Sequence, residues 1–444
     1  MRIFEKTKQL AGNLANDRSG NFAVLTGVVA SMLMLSVGYG VNVAQSYQLK
    51  SSLRNALDSA VTSTARDLTT GAIEEEEARK MVEAFLHANS DPKFATTDRF
   101  VLDRLVIDRT AKTIEATAYA NVNLAFPIFS TKDPRVSISS AAVYSDKTIE
   151  VAMMLDVTKS MEANWWSDKI GDLQDAAEDA VERLLDGQDP DNPRIRVAIV
   201  PYSDAVNTGS LSEYVHYEKT FTTGEPPAYT GVHLAAVSGR ADKCATERKG
   251  AHQFTAASPA VAMVNRDVRL KFCPEVELQP LTADADTLLG TIGAFKAEGH
   301  TAGHIGIQWT RYLLSNNWAN YLPKGSDPKV HDEKKVAKIA ILMTDGVFNT
   351  AFANVAEDAK VREQPAKSRS KAEKLCEAMK KDDKIEIFTI GFMLNQANAK
   401  QVMKDCASED TSSVQHYYEA ADGEALSEAF DAIIKNIEWL ALTK

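Results

Sequence analysis

Residues 148–161 read TIEVAMMLDVTKSM, and the fold turns on them. Ile149, Val151, Ala152, Met153, Met154 and Leu155 make a near-continuous apolar run. Such a run is the pattern of a strand buried on both faces, in a parallel sheet covered by helices. It stops at Asp156, and Thr158 and Ser160 follow at alternate positions. A carboxylate and two hydroxyls thus stand where strand gives way to loop. Ligands of open α/β sheets bind at the carboxyl ends of strands, and oxygen donors there suit a small hard cation such as Mg²⁺. The same residue types also serve as ordinary turn formers.

Further apolar runs follow: RIRVAIVPYS at 194–203, KKVAKIAILMTDGVFN at 334–349 and KIEIFTIGF at 384–392, with HYYEA at 416–420 as a short edge strand. Between them, Ile170, Leu173, Ala177, Ala180, Val181, Leu184 and Leu185 mark an amphipathic helix; residues 396–405 and 424–440 also read as helical. Alternating strands and helices predict an α/β domain with a doubly wound, mostly parallel sheet over residues 147–444. Residues 205–280 show no period and carry Gly209, Gly224, Pro226, Pro227, Gly231 and Gly239, so they read as a long insertion.

The turn Asp156, Thr158, Ser160 resembles the metal-ion-dependent adhesion site of von Willebrand factor type A (VWA) domains, whose pattern is Asp-x-Ser-x-Ser. Two distant stretches match the same family. In EGHTAGHIGIQWTRYLL, Thr301 lies between Gly299 and Gly303, as in the family's second metal loop; Thr344-Asp345-Gly346 ends an apolar run, as in its third. The resemblance implies a VWA/Rossmann-like fold and a metal site built from Asp156, Thr158, Ser160, Thr301 and Asp345. The ion it implies is Mg²⁺, with Mn²⁺ or Ca²⁺ as alternatives, and one position is left for a partner's carboxylate. Lys159 stands inside the turn, where an ammonium would compete with a cation; that favours an empty site.

Upstream, FAVLTGVVASMLMLSVGYGV at 22–41 holds no charge, and its length suits a transmembrane helix. Residues 1–21 carry Arg2, Lys6, Lys8 and Arg18, which predicts a cytoplasmic N-terminus and a main domain outside. Leu49, Leu53, Leu57, Val61 and Leu68 extend the pattern as a helical stalk over 42–79, and residues 80–146 read as a small α/β segment. Glu74 to Glu77 read as a solvated helix start. The segments DRSGNFAVL (17–25) and LKSSLRNALDSAVTSTA (49–65) resemble the N-terminal part of TadG-like proteins of the bacterial tight-adherence (Flp) pilus systems. That resemblance implies a single-pass inner-membrane protein with a periplasmic domain. Its partners would be other pilus-assembly or envelope proteins. Gly20 matches the processing glycine of related pseudopilins, but Leu25 replaces their glutamate, which speaks against processing.

The chain has 444 residues, 44% hydrophobic and 25% charged, which predicts mostly globular structure. A net charge of -11 argues against nucleic acid. Nearness in sequence pairs Cys244 with Cys273 and Cys376 with Cys406 in an oxidising compartment, though four cysteines allow three connectivities. No Gly-x-Ser-x-Gly, His-Glu-x-x-His or P-loop motif is present, so no enzyme is expected. His300 and His304, four apart, offer a zinc pair or simply loop and cap residues. Trp165 and Trp166 read as helix-to-sheet packing or as a rim anchor for a partner. The expected function is metal-dependent protein binding in pilus assembly or anchoring. Its rivals are a metal-free envelope tether and a cell-surface adhesin.

Overall fold

The computed structural model describes residues 19–70, 73–89, 100–108, 112–122, 124–126, 135–144, 147–188, 193–231, 242–333, 335–357 and 363–443. The basic N-terminal residues on which the orientation rests lie outside them, as does Gly239. The chain divides into two compact units, one of residues 1–65 and 74–143, the other of 66–73 and 144–444.

In the first unit the helix α1 (Ser19–Thr70) passes without a break through the boundary at residues 41 and 42. It changes character along its length. Val24, Leu25, Met32 and Met34 are exposed, whereas Leu49, Leu53, Leu57 and Val61 are buried. This is the one helix among the described residues that is long and apolar enough to cross a membrane, a property shared by anchors and signal sequences. Helix α2 (Glu75–Ala88) starts with Glu75, Glu76 and Glu77 in its first turn, where acids suit the helix dipole; the boundary at residues 79 and 80 falls inside it. Strands β1 (Val101–Asp108), β2 (Thr113–Asn121) and β3 (Arg135–Val143) form an antiparallel sheet in the order β1-β2-β3. Alternation in β2 buries Ile114, Ala116, Ala118 and Ala120 on one face. Asn42 clamps α1 to the chain after β2, donating to the Phe126 carbonyl at 2.7 Å and accepting from its N–H at 3.1 Å.

The second unit is built on strands β4 (Thr148–Asp156), β5 (Ile195–Tyr202), β10 (Gln279–Thr282), β11 (Val336–Thr344), β12 (Glu386–Phe392) and β13 (Tyr417–Ala420). Their order is β10-β5-β4-β11-β12-β13, and every pair is parallel except β10 with β5. Alternate residues feed two cores. Ala152, Met154, Ala198, Val200, Ala340 and Leu342 face α5 (Gly303–Leu313), α6 (Gln364–Lys381) and α7 (Ala397–Cys406). Val151, Met153, Leu155, Val197, Ile339 and Ile341 face α3 (Lys169–Leu185), α4 (Ala285–Gly293) and α8 (Gly423–Thr443). Burial on both faces explains why these strands read as near-continuous apolar runs. Each fully buried Leu, Ile or Val contributes about 1.5–3 kcal/mol.

The insertion contains short strands, β6 (Val206–Asn207), β7 (Val215–Tyr217), β8 (Cys244–Ala245) and β9 (Val264–Arg266), in two-stranded pairs. Buried charge organises it. Lys249 reaches Glu218 at 2.8 Å and Asp267 at 2.7 Å, and Arg269 also reaches Asp267 at 2.8 Å. The disulfides are Cys244–Cys273 within the insertion and Cys376–Cys406 between α6 and α7, the pairs expected from nearness in sequence.

Candidate metal centre

Strands β4 and β11 run side by side and in parallel, so their carboxyl ends deliver Asp156 and Asp345 to one edge of the sheet. Asp156 is fully buried and organises that edge. Its Oδ1 accepts from the Thr158 N–H at 2.9 Å; its Oδ2 accepts from the Tyr202 and Thr344 hydroxyls, both at 2.8 Å, and from the Asp345 N–H at 3.4 Å. Thr158 Oγ1 lies 2.9 Å from Ser160 Oγ, which in turn donates to Asp345 Oδ1 at 2.6 Å.

Thr301 arrives on the loop before α5. The Glu298 N–H bonds the Val157 carbonyl at 2.9 Å, and the Lys159 N–H bonds that of Gly299 at 3.2 Å, which ties this loop to the Asp156 turn. Both flanking glycines have a steric cause. Gly299 has φ +77, and a Cβ there would fall on the Asp204 carboxylate; a Cβ on Gly303 would overlap the Phe348 ring. A Cβ placed on Gly346 would sit 3.7 Å from Ser160 Oγ and 3.8 Å from Thr301 Oγ1, so both hydroxyls open onto one small space above the Asp345-Gly346 turn. The structure therefore brings all five expected residues together.

The donor set is oxygen only: two carboxylates and three hydroxyls. Burial, and then the charge of Asp345, push the Asp156 carboxyl up to about 6, against the hydrogen bonds it accepts. Two buried acids that repel each other fit a divalent cation, and the hardness of the donors fits Mg²⁺.

The coordinates correct two expectations and decide between the two readings of the histidine pair. Lys159 does not enter the site; its Nζ pairs with Glu162 at 2.9 Å and the side chain is 68% exposed. The ammonium that does enter is Lys169, whose Nζ lies 2.7 Å from Asp345 Oδ2. His300 and His304 do not converge on a zinc site. His300 precedes α5 and pairs with Asp204 at 3.1 Å, whereas His304, inside α5, is buried against Ser368 at 2.8 Å and Glu247 at 3.3 Å. Ser368, His304 and Glu247 are sealed from solvent, and Glu247 is held by Lys371 at 2.7 Å, so this group braces α5 against α6. Burial alone would raise the Glu247 carboxyl, but Lys371 and His304 outweigh it and hold the group well below the usual range. Trp165 and Trp166 pack against nothing: they are 98% and 95% exposed. Asp242 lies beside the Cys244–Cys273 bridge, whose sulfurs are oxidised and offer no thiolate to a metal.

A family model of the von Willebrand factor type A domain matches residues 324–432, from the approach to β11 into α8. The chain carries a VWA domain. No curated protein matches it. Three similar solved structures are pilus proteins. The vWF domain of the type V pili tip protein Mfa5 from Porphyromonas gingivalis is 14% identical at a TM-score of 0.37, with 66% of this chain and 95% of that one covered. The PilB minor pilin from Streptococcus sanguinis is 12% identical at a TM-score of 0.36, with 77% and 78% covered. The pilus adhesin SpaC from Lactobacillus rhamnosus GG is 12% identical at a TM-score of 0.36, with 77% of this chain covered; the match spans 34% of SpaC.

Proposed function

We propose that the VWA domain binds a protein partner through a divalent ion, Mg²⁺ first, with Mn²⁺ or Ca²⁺ as alternatives, held by Asp156, Thr158, Ser160, Thr301 and Asp345. The convergence of these oxygens at one strand edge carries the reading. A bound ion would present an open position to a carboxylate of the partner. The chain's own part is to hold two acids and three hydroxyls in place before the partner arrives. No bond need break, so the role is binding and not catalysis. Trp165 and Trp166 stand on the loop between Ser160 and Lys169, both of which touch Asp345, and supply an aromatic anchor beside the cation position.

The setting we propose is the inner membrane of a bacterium, with α1 as a single-pass anchor, the N-terminus cytoplasmic and the VWA domain periplasmic. The task is assembly or anchoring of a Tad (Flp) pilus, with other pilus-assembly or envelope proteins as partners. Residues 17–25 and 49–65 support that setting through their likeness to TadG-like proteins. Crosslinking in the cell envelope tests the reading: wild type captures a partner in Mg²⁺, and Asp156→Ala does not. Equal capture by both sinks metal-dependent binding, and unaltered pili after deletion sink the pilus role.

A second reading is favoured by one contact. Lys169 on Asp345 is what a metal-free tether would use to neutralise the site. Thermal unfolding in rising Mg²⁺ separates the two, because an ion that binds only the native state raises Tm.

A further inference from the structure

Asp345 has no free oxygen in this arrangement. Ser160 donates to Oδ1 at 2.6 Å, and Lys169 donates to Oδ2 at 2.7 Å. The Asp345 side chain is fully buried, and that of Lys169 is 18% exposed, so water screens the pair only weakly. The placement of Lys169 is built in. It is the first residue of α3, directly after Asp168, whose Oδ1 caps the helix by accepting from the Gly171 N–H at 3.1 Å. Val181, Leu184 and neighbouring residues fix the same helix in the core. The ammonium therefore occupies one of the two Asp345 oxygens, on a tether held at its root.

We propose that Lys169 is the resident cation of this site and competes with a divalent ion for Asp345. The inference rests on reading the site as a cation site. Lys169 must leave Asp345 Oδ2 before that oxygen can serve a metal ion, so the protein loads only as far as an external ion outcompetes its own lysine. Lys169 also ends the loop that carries Trp165 and Trp166, so the exchange of lysine for ion takes place beside the surface where a partner would dock.

The test uses the full chain in detergent, with Mg²⁺ alone as the probe, and reads binding by calorimetry and by the Trp emission. Lys169→Met keeps the apolar stem and removes the charge. It should bind Mg²⁺ at least about tenfold more tightly than wild type, because the competent fraction of the site rises. Lys159→Met, whose charge points to solvent, should bind as wild type does. Equal or weaker binding by Lys169→Met overturns the competition and leaves the cation reading intact. Binding by neither protein overturns both. Binding by Lys169→Met alone supports the competition and removes metal from the wild-type function.

Should Lys169→Met fail to fold, amine acetylation of wild type gives the same answer by mass spectrometry. Mg²⁺ should increase labelling of Lys169 severalfold, with Lys159 unchanged as the internal standard. Unchanged or reduced labelling of Lys169 overturns the proposal.

Discussion

At the residue scale the decisive group is Asp156, whose carboxyl is raised to about 6, first by burial and then by Asp345. Below its ordinary value of 3.8, folded and unfolded chains both hold the proton; between 3.8 and about 6 only the folded chain does. Stability from this group is therefore full in acid and falls as pH rises through that window, by up to about 3 kcal/mol. Glu247 and His304 run the other way. Their carboxyl and imidazole are held low, by Lys371 against burial and by burial itself, so they lose stability as pH falls below 4.5 and 6.5 respectively. The comparison of wild type with Asp156→Asn isolates the first effect. Urea unfolding in metal-free buffer should show wild type losing ground to the variant as pH rises through the window. A constant difference between them refutes the assignment. Trp165→Ala with Trp166→Ala makes the opposite kind of change. Both rings are exposed, so Tm should stay within about 1 °C. Partner capture should weaken by about tenfold or more if either ring is an anchor.

At the element scale the two disulfides do different work. Cys376–Cys406 joins α6 to α7 across 30 residues and encloses β12, while Cys244–Cys273 closes 29 residues of the insertion. Replacing Cys376 and Cys406 with serine should cost about 3–4 kcal/mol in the chain-entropy model, read as a fall in the urea midpoint. A change under about 1 kcal/mol would show that helix packing alone fixes the pair. The same elements show what a sequence can and cannot tell. Strands β4, β5, β11 and β12 are legible because both their faces are covered, which leaves near-continuous apolar runs. The three oxygen-bearing turns are legible because each follows such a run or sits between glycines with a steric reason. The insertion was not legible, because Lys249, Glu218, Asp267 and Arg269 hold it by buried ion pairs that leave no period. Lys169 was missed for a related reason: nothing local marks a lysine at a helix start as reaching a carboxylate 176 positions away. Of the two readings of His300 and His304, loop and helix residues rather than a zinc pair, the first holds because i, i+4 spacing implies proximity only on a helix, and α5 begins at Gly303, after His300.

At the scale of the whole molecule the division of labour is between an apolar helix and a domain with its own cores. Among the described residues, every member of both sheet-flanking cores lies between Ile149 and Ile437. Both disulfides and all five site residues fall in the same range. Residues 144–444 therefore hold the described cores, both bridges and the site. Expressed alone in an oxidising compartment, they should unfold in one cooperative transition, with a Tm within about 5 °C of the domain's transition in the full chain. The small loss reflects residues 66–73, which belong to the same compact unit and would be absent. The piece should respond to Mg²⁺ as the full chain does, since the first unit supplies none of the five oxygens. Membrane association should divide the other way. The full chain should stay with membranes through alkaline carbonate extraction because of the apolar stretch in α1, and the piece should not. If the isolated domain instead unfolds gradually, or loses its response to Mg²⁺ while keeping both disulfides, the site depends on the first unit and the division fails.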